Sequence, residues 1–280
     1  MAPEFRFDEF DSGRLLINHE FTDVLRSNGL VTLDSLFNLS GGDMVRQIKS
    51  RSTTRITLPT ADGQSTFYLK RHEPPQLRER LRPLVNFARP ILGARNEWQA
   101  ILRFHNAGIP TMTPVAFGEW QGRSLLVTED LGTDHTLLDW ANNMAETPVA
   151  NTALHPTAAQ SLKRSLIHRV ANLARRMHDA GIHHQDFYLN HILWRGDPAD
   201  LDLRVIDLGR VGHAEKLSRR WILKDLAQLD FSARRLSCAD RLRFLRLYLG
   251  RPFCGADRRL VRLISAKSRH IAAHTAKHRL

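Results

Sequence analysis

The chain has 280 residues, 42% of them apolar, enough to bury the core of one large domain or of two lobes. No apolar run approaches the roughly 20 residues that span a bilayer, and the opening stretch is acidic (Glu4, Asp8, Glu9, Asp11), unlike a signal peptide, so a cytoplasmic protein is expected. The net charge of +12 is carried by the last quarter, because residues 1–210 hold 24 Lys+Arg against 24 Asp+Glu while residues 211–280 hold 17 against 5.

Residues 1–40 read as mixed helix and loop. Val45–Lys49, Arg55–Leu58 and Ser65–Arg71 read as strands, with Asp62-Gly63 as a hairpin turn between the last two. A proline-bearing, arginine-rich stretch from His72 to Arg95 follows and reads as an insertion or a short helix pair. Asn96–Ala107 has helical periodicity and stops at Gly108. Val115–Glu119 and Ser124–Thr128 form a further hairpin around Gln121-Gly122, and Glu129 to Gly132 reads as a connector. Helices are then expected over Thr136–Ala145 and Ser161–Ala180. After a loop and a short hairpin come three more, Trp221–Ser232, Ala239–Leu249 and Arg258–Ala272. The fold class expected is α+β in two lobes: residues 1–130 an antiparallel sheet with one helix, residues 131–280 mainly helical.

Three separated segments carry chemistry. Lys70 ends an apolar strand, where its amine can hold the phosphates of ATP; a plain strand-edge lysine is the commoner reading of one residue alone. Glu97, on the first helix after it, is the carboxylate that would fix that amine in an ion pair. Asp186 follows His183-His184-Gln185 in a loop after a long helix and is the candidate catalytic base that orients the acceptor hydroxyl. Asp207 closes the strand Leu203–Ile206, with Gly209 allowing a sharp turn, and is the candidate Mg2+ ligand.

His191 stands five residues beyond Asp186, where protein kinases carry a magnesium-binding asparagine. It could coordinate the metal or hydrogen-bond a phosphate or Asp186, with Asn190 as the neighbouring alternative and a core histidine as the plain one. Asp225, expected near a helix start, is read as support for the catalytic loop. Gly41-Gly42 is the only glycine pair placed to cover phosphates, although no G-x-G-x-x-G pattern is present. Glu129, in the connector, completes the nucleotide-side candidates.

These residues resemble the Kdo/WaaP/InaA lipopolysaccharide-kinase family of the protein-kinase-like superfamily. The resemblance rests on Tyr68-Leu69-Lys70-Arg71-His72, on Gly181 through Tyr188, on His191, on Ile206 through Arg210, and on Trp221 with Lys224-Asp225-Leu226-Ala227. It implies a two-lobed kinase fold, ATP with Mg2+, and transfer of the γ-phosphate to a sugar of the lipopolysaccharide inner core, usually heptose and in some members Kdo. It also implies that histidine at 191 is the family's residue there. Gln185 stands where arginine is commoner, and the stretch from Asp207 to Asp225 has no Ala-Pro-Glu motif, which favours a glycolipid acceptor over a peptide.

The alternatives are a small-molecule kinase of the same fold, whose cationic acceptor would want an acidic pocket, and a non-catalytic scaffold, which would not need Lys70, Asp186 and Asp207 together. The basic last quarter reads as a solvated helical face. Its sharper readings are a site for the phosphorylated glycolipid, an anionic membrane surface that would make the protein peripheral at the inner face of the inner membrane, or an acidic protein partner. No nucleic-acid motif accompanies it, and no nucleic acid is expected.

Overall fold

A computed structural model of the chain describes residues 4–48, 50–74, 93–146, 156–197 and 199–277. It divides into two compact units. The first holds the described residues through Gly108, with Met112–Gly132 and Leu208–Arg210; the second holds Ile109–Thr111, Thr133–Asp207 and the described residues from Val211.

The first unit is built on a seven-stranded, wholly antiparallel sheet. Its strands are β1 (Phe7–Phe10), β2 (Leu15–Asn18), β3 (Asp43–Ile48), β4 (Arg51–Thr60), β5 (Gly63–His72), β6 (Pro114–Trp120) and β7 (Arg123–Glu129), in the order β1-β2-β6-β7-β5-β4-β3. The expected hairpins are present, with β4 and β5 turning at Ala61-Asp62 and β6 and β7 at Gln121-Gly122. Residues 1–40 differ from expectation: β1 and β2 extend the sheet through pairing of β2 with β6. Strands of four residues are too short to show a period of two, and a partner about a hundred positions away leaves no local mark.

Alternation along β4, β5 and β7 sends Ile56, Leu58, Phe67, Leu69, Leu125 and Val127 to one face. There they bury against Leu25 of α1 (Thr22–Ser27) and Leu33, Leu36 and Phe37 of α2 (Leu33–Phe37). A capping box between Thr32 and Ser35 starts α2. The Arg71 guanidinium donates to the carbonyls of Leu36 and Leu39 at 3.3 and 2.7 Å, satisfying oxygens the helix end cannot. Arg71 thus points away from Lys70, as strand alternation requires. The other face carries α3 (Arg95–Asn106), with Trp98 stacked on Phe117 at 5.4 Å between ring centroids. Most of the arginine-rich segment, residues 75–92, lies outside the described residues.

The second unit is mainly helical: α4 (Leu137–Glu146), α5 (Pro156–Asp179), α6 (Arg219–Ser232), α7 (Cys238–Leu249) and α8 (Asp257–Lys277). Two short antiparallel pairs are set among them, β8 (Ile182–His183) with β11 (Gly212–His213) and β9 (Ile192–Arg195) with β10 (Asp202–Val205). Leu226, Leu245 and Ile264 join α6, α7 and α8 in a small core. Only Asp257 and Ile264 of α8 are buried, so most of its basic residues face solvent. Among the described residues no helix is long and apolar enough to cross a membrane.

Candidate active site

In the first unit, Lys70 is the third residue from the end of β5, and its Nζ lies 2.5 Å from Oε1 of Glu97 on α3. Glu97 is 5% exposed, so the ion pair is partly desolvated and its geometry fixed. The sheet fixes the lysine's height through pairing with Thr53 on β4 and Leu126 on β7.

Gly41-Gly42 is not brought to Lys70. The pair enters β3 with φ of 96° and 86°, and a Cβ on Gly42 would stand 2.5 Å from the carbonyl oxygen of Arg55. Glycine is required there by close backbone approach. In register, the Arg55–Ile56 row meets Phe67 and Tyr68 on β5, short of Lys70, so the position gives no support to a phosphate-covering role. Glu129 is exposed at the end of β7, opposite Phe67.

In the second unit two histidines tie the Asp186 loop to the Asp207 turn. His184 is fully buried, and its Nε2 lies 3.1 Å from the carbonyl oxygen of Ile206. A carbonyl can only accept, so Nε2 carries the hydrogen and Nδ1 is left to accept from the Asp186 N–H at 3.3 Å. Burial lowers the pKa of this ring, in keeping with the neutral form those bonds require.

His191 repeats the logic one turn on. Its Nδ1 lies 2.7 Å from the Asp186 carbonyl oxygen and must donate to it. In the neutral ring the Nε2 lone pair then faces Asp207, whose Oδ2 is 3.6 Å away. That form offers two lone pairs to a cation, whereas a protonated ring would itself pair with the Asp207 carboxylate. Among the described residues no group of three or more His, Cys, Asp or Glu is placed to hold a metal ion. Asn190, the alternative ligand, is exposed.

The backbone is strained at this site. Gln185 and Asp207 adopt φ of 70° and 59°, left-handed values that cost side-chain-bearing residues on the order of 1–3 kcal/mol each. Helix α6 holds the first of them. Asp225 is fully buried, and its two carboxylate oxygens accept the His184 N–H at 2.8 Å and the Gln185 N–H at 2.9 Å. It stands in the middle of α6 rather than near its start, so its role comes from this anchoring and not from the helix end.

Two further anchors escaped the sequence reading. Gln228 accepts the Phe187 N–H at 3.0 Å and donates to the Gln185 carbonyl at 2.6 Å, and Ser232 Oγ accepts the Leu189 N–H at 3.0 Å. The spacing 225, 228, 232 places the three on one helix face, the signal that could have found them.

Known proteins match this chain over most of its length. The model of the lipopolysaccharide kinase (Kdo/WaaP) family matches residues 37–248. The lipopolysaccharide core heptose(I) kinase WaaP of Escherichia coli strain K12 is 34% identical over 250 residues, spanning 84% of this chain and 89% of that protein. The protein of that name from Pseudomonas aeruginosa strain PAO1 is 37% identical over 222 residues, spanning 75% and 78%. A solved structure of WaaP in complex with acyl carrier protein superposes with a TM-score of 0.70 at 33% identity, over 92% of this chain and 97% of that one.

Proposed function

Because this chain belongs to the lipopolysaccharide kinase (Kdo/WaaP) family, we propose that it is an ATP-dependent kinase that phosphorylates a heptose hydroxyl of the lipopolysaccharide inner core. The observation that supports the reading is His191, which joins the two candidate loops: its Nδ1 donates to the backbone carbonyl of Asp186 and its Nε2 lies 3.6 Å from Asp207 Oδ2. Asp186 orients the sugar hydroxyl and takes its proton as the new O–P bond forms and the bond to the ADP oxygen breaks. Lys70, fixed by Glu97, holds the inner phosphates. Asp207 and His191 Nε2 are the residues that would hold Mg2+, whose charge offsets that of the β- and γ-phosphates. A nitrogen ligand is unusual for this hard cation, which otherwise takes water and phosphate oxygens. Glu129 is assigned to the nucleotide side on its connector position alone.

We assign the protein to the cytoplasmic face of the inner membrane as a peripheral protein, held there by attraction between the basic last quarter and anionic lipid. The solved relative's partner suggests an acyl carrier protein here also. An apolar pocket of about 250 Å³ in the second unit, with Leu166, Leu226, Phe244 and Ile264 in its wall, suits an acyl chain. The acceptor is tested by supplying MgATP with two dephosphorylated cores, one ending in heptose and one truncated to Kdo. A phosphomonoester on the heptose alone is expected; label on the Kdo alone would make the protein a Kdo kinase.

A further inference from the structure

The Lys70–Glu97 pair is electrically neutral as a unit, yet on the kinase reading it would have to meet the polyanionic phosphates of ATP. Protein kinases answer this partly with a glycine loop whose backbone N–H groups approach the phosphates. Here Ile48 pairs with Arg51, the sequence between β3 and β4 contains no glycine, and Gly41-Gly42 sits at the other end of β3. Some other donor has to meet the outer phosphate.

The sheet register supplies one. Residues directly opposed in antiparallel strands share a face. Lys70 opposes Thr53, and Thr53 opposes Arg46 on β3. Arg46, Thr53 and Lys70 therefore form one row on one face, with Arg46 two strand spacings from the lysine, about 10 Å. This arrangement depends on a bulge. Met44 pairs with Thr54 and Arg46 with Thr53, so Val45 is the extra residue. Without it Val45 would oppose Thr53, and Arg46 would turn to the face packed on α2. Of the other arginines on the Lys70 face, Arg55 is held by Asp130 at 2.8 Å and Arg51 belongs to the His72 row, nearer the turn. Arg46 is exposed, on an edge strand whose six residues are all exposed.

We propose that Arg46, turned onto the Lys70 face by the Val45 bulge, binds the terminal phosphate of the nucleotide in place of a glycine loop. The inference rests on the kinase reading above. A guanidinium fork suits this task, since it can donate two parallel N–H bonds to a phosphate and keeps its charge at any working pH.

The test is the affinity of the full-length protein for ATP, ADP and AMP with magnesium, measured for wild type, Arg46→Ala, Arg46→Lys and a Val45 deletion. Thermal melting of each variant reports its folding. Wild type should bind ATP more tightly than ADP. Arg46→Ala should weaken ATP about 10- to 100-fold, the range for a charge-assisted contact, and leave ADP and AMP unchanged. Arg46→Lys should recover part of the loss, and the Val45 deletion should behave as Arg46→Ala although the arginine is retained. Unchanged ATP affinity in Arg46→Ala, or an equal loss for all three nucleotides, would overturn the proposal while leaving the kinase reading intact. Wild-type protein that binds no nucleotide would overturn both.

Discussion

Replacing Asp225 by asparagine should loosen the loop that carries Asp186 without touching Lys70. The carboxylate accepts two backbone N–H groups, from His184 and Gln185, in a fully buried setting. Hydrogen bonds to a charged group contribute about 1.5–3 kcal/mol each. Asparagine keeps one acceptor and turns an amide donor toward the other N–H, so the expected loss is about 1.5–3 kcal/mol, and about twice that for alanine. The same bonds offset the left-handed strain at Gln185, the residue before Asp186. Urea unfolding with an unchanged m-value measures the stability term. Steady-state kinetics should show kcat falling while the KM for ATP holds, because Lys70 and Glu97 belong to the other unit. An unfolding free energy within about 0.5 kcal/mol of wild type, or a loss confined to the KM for ATP, would refute the anchoring role.

Two other perturbations follow from the first unit. Lys70→Ala leaves the Glu97 carboxylate buried and unpaired and should cost about 3–5 kcal/mol of stability. Adding Glu97→Gln should restore part of it, and a double-mutant cycle by denaturation would read this as coupling of 0.5 kcal/mol or more. His72 is 8% exposed, and burial, with Arg51 and Lys70 adding to it, pushes its pKa down to about 4 from 6.5. Its folded form holds no proton where the unfolded chain does, so its contribution is complete above pH 6.5 and is lost as pH falls toward 4. At about 1.4 kcal/mol per unit this is about 3 kcal/mol, and His72→Gln should flatten that part of a stability–pH curve.

Much of the candidate site stands on local signals in the sequence. Lys70 ends an apolar run, Glu97 falls on the next periodic helix, and Asp186 and Asp207 are set off by a helix stop and a short hairpin. Each depends on neighbours within a few residues, which periodicity and turn chemistry record. The features that escaped depend on distant partners. β1 and β2 exist because β6 accepts them, and Gln228 and Ser232 matter because a loop about 40 positions earlier folds against α6. The bulge at Val45 is set by pairing with β4, and no residue type in Met44-Val45-Arg46 announces it. Left-handed backbone at Gln185 and Asp207 is likewise imposed by what holds the loop, since neither is the glycine that would have marked it. Gly41-Gly42 shows the converse: a conspicuous pair whose glycine at 42 answers to the Arg55 carbonyl.

A phosphotransfer centre built on Asp186 and Asp207 is tested with labelled MgATP and dephosphorylated lipopolysaccharide core, comparing wild type with Asp186→Ala and Asp207→Ala. Label should enter the glycolipid with wild type and be lost in both variants, with Asp186→Ala still binding the nucleotide. Transfer at the wild-type rate by either folded variant would contradict the assignment.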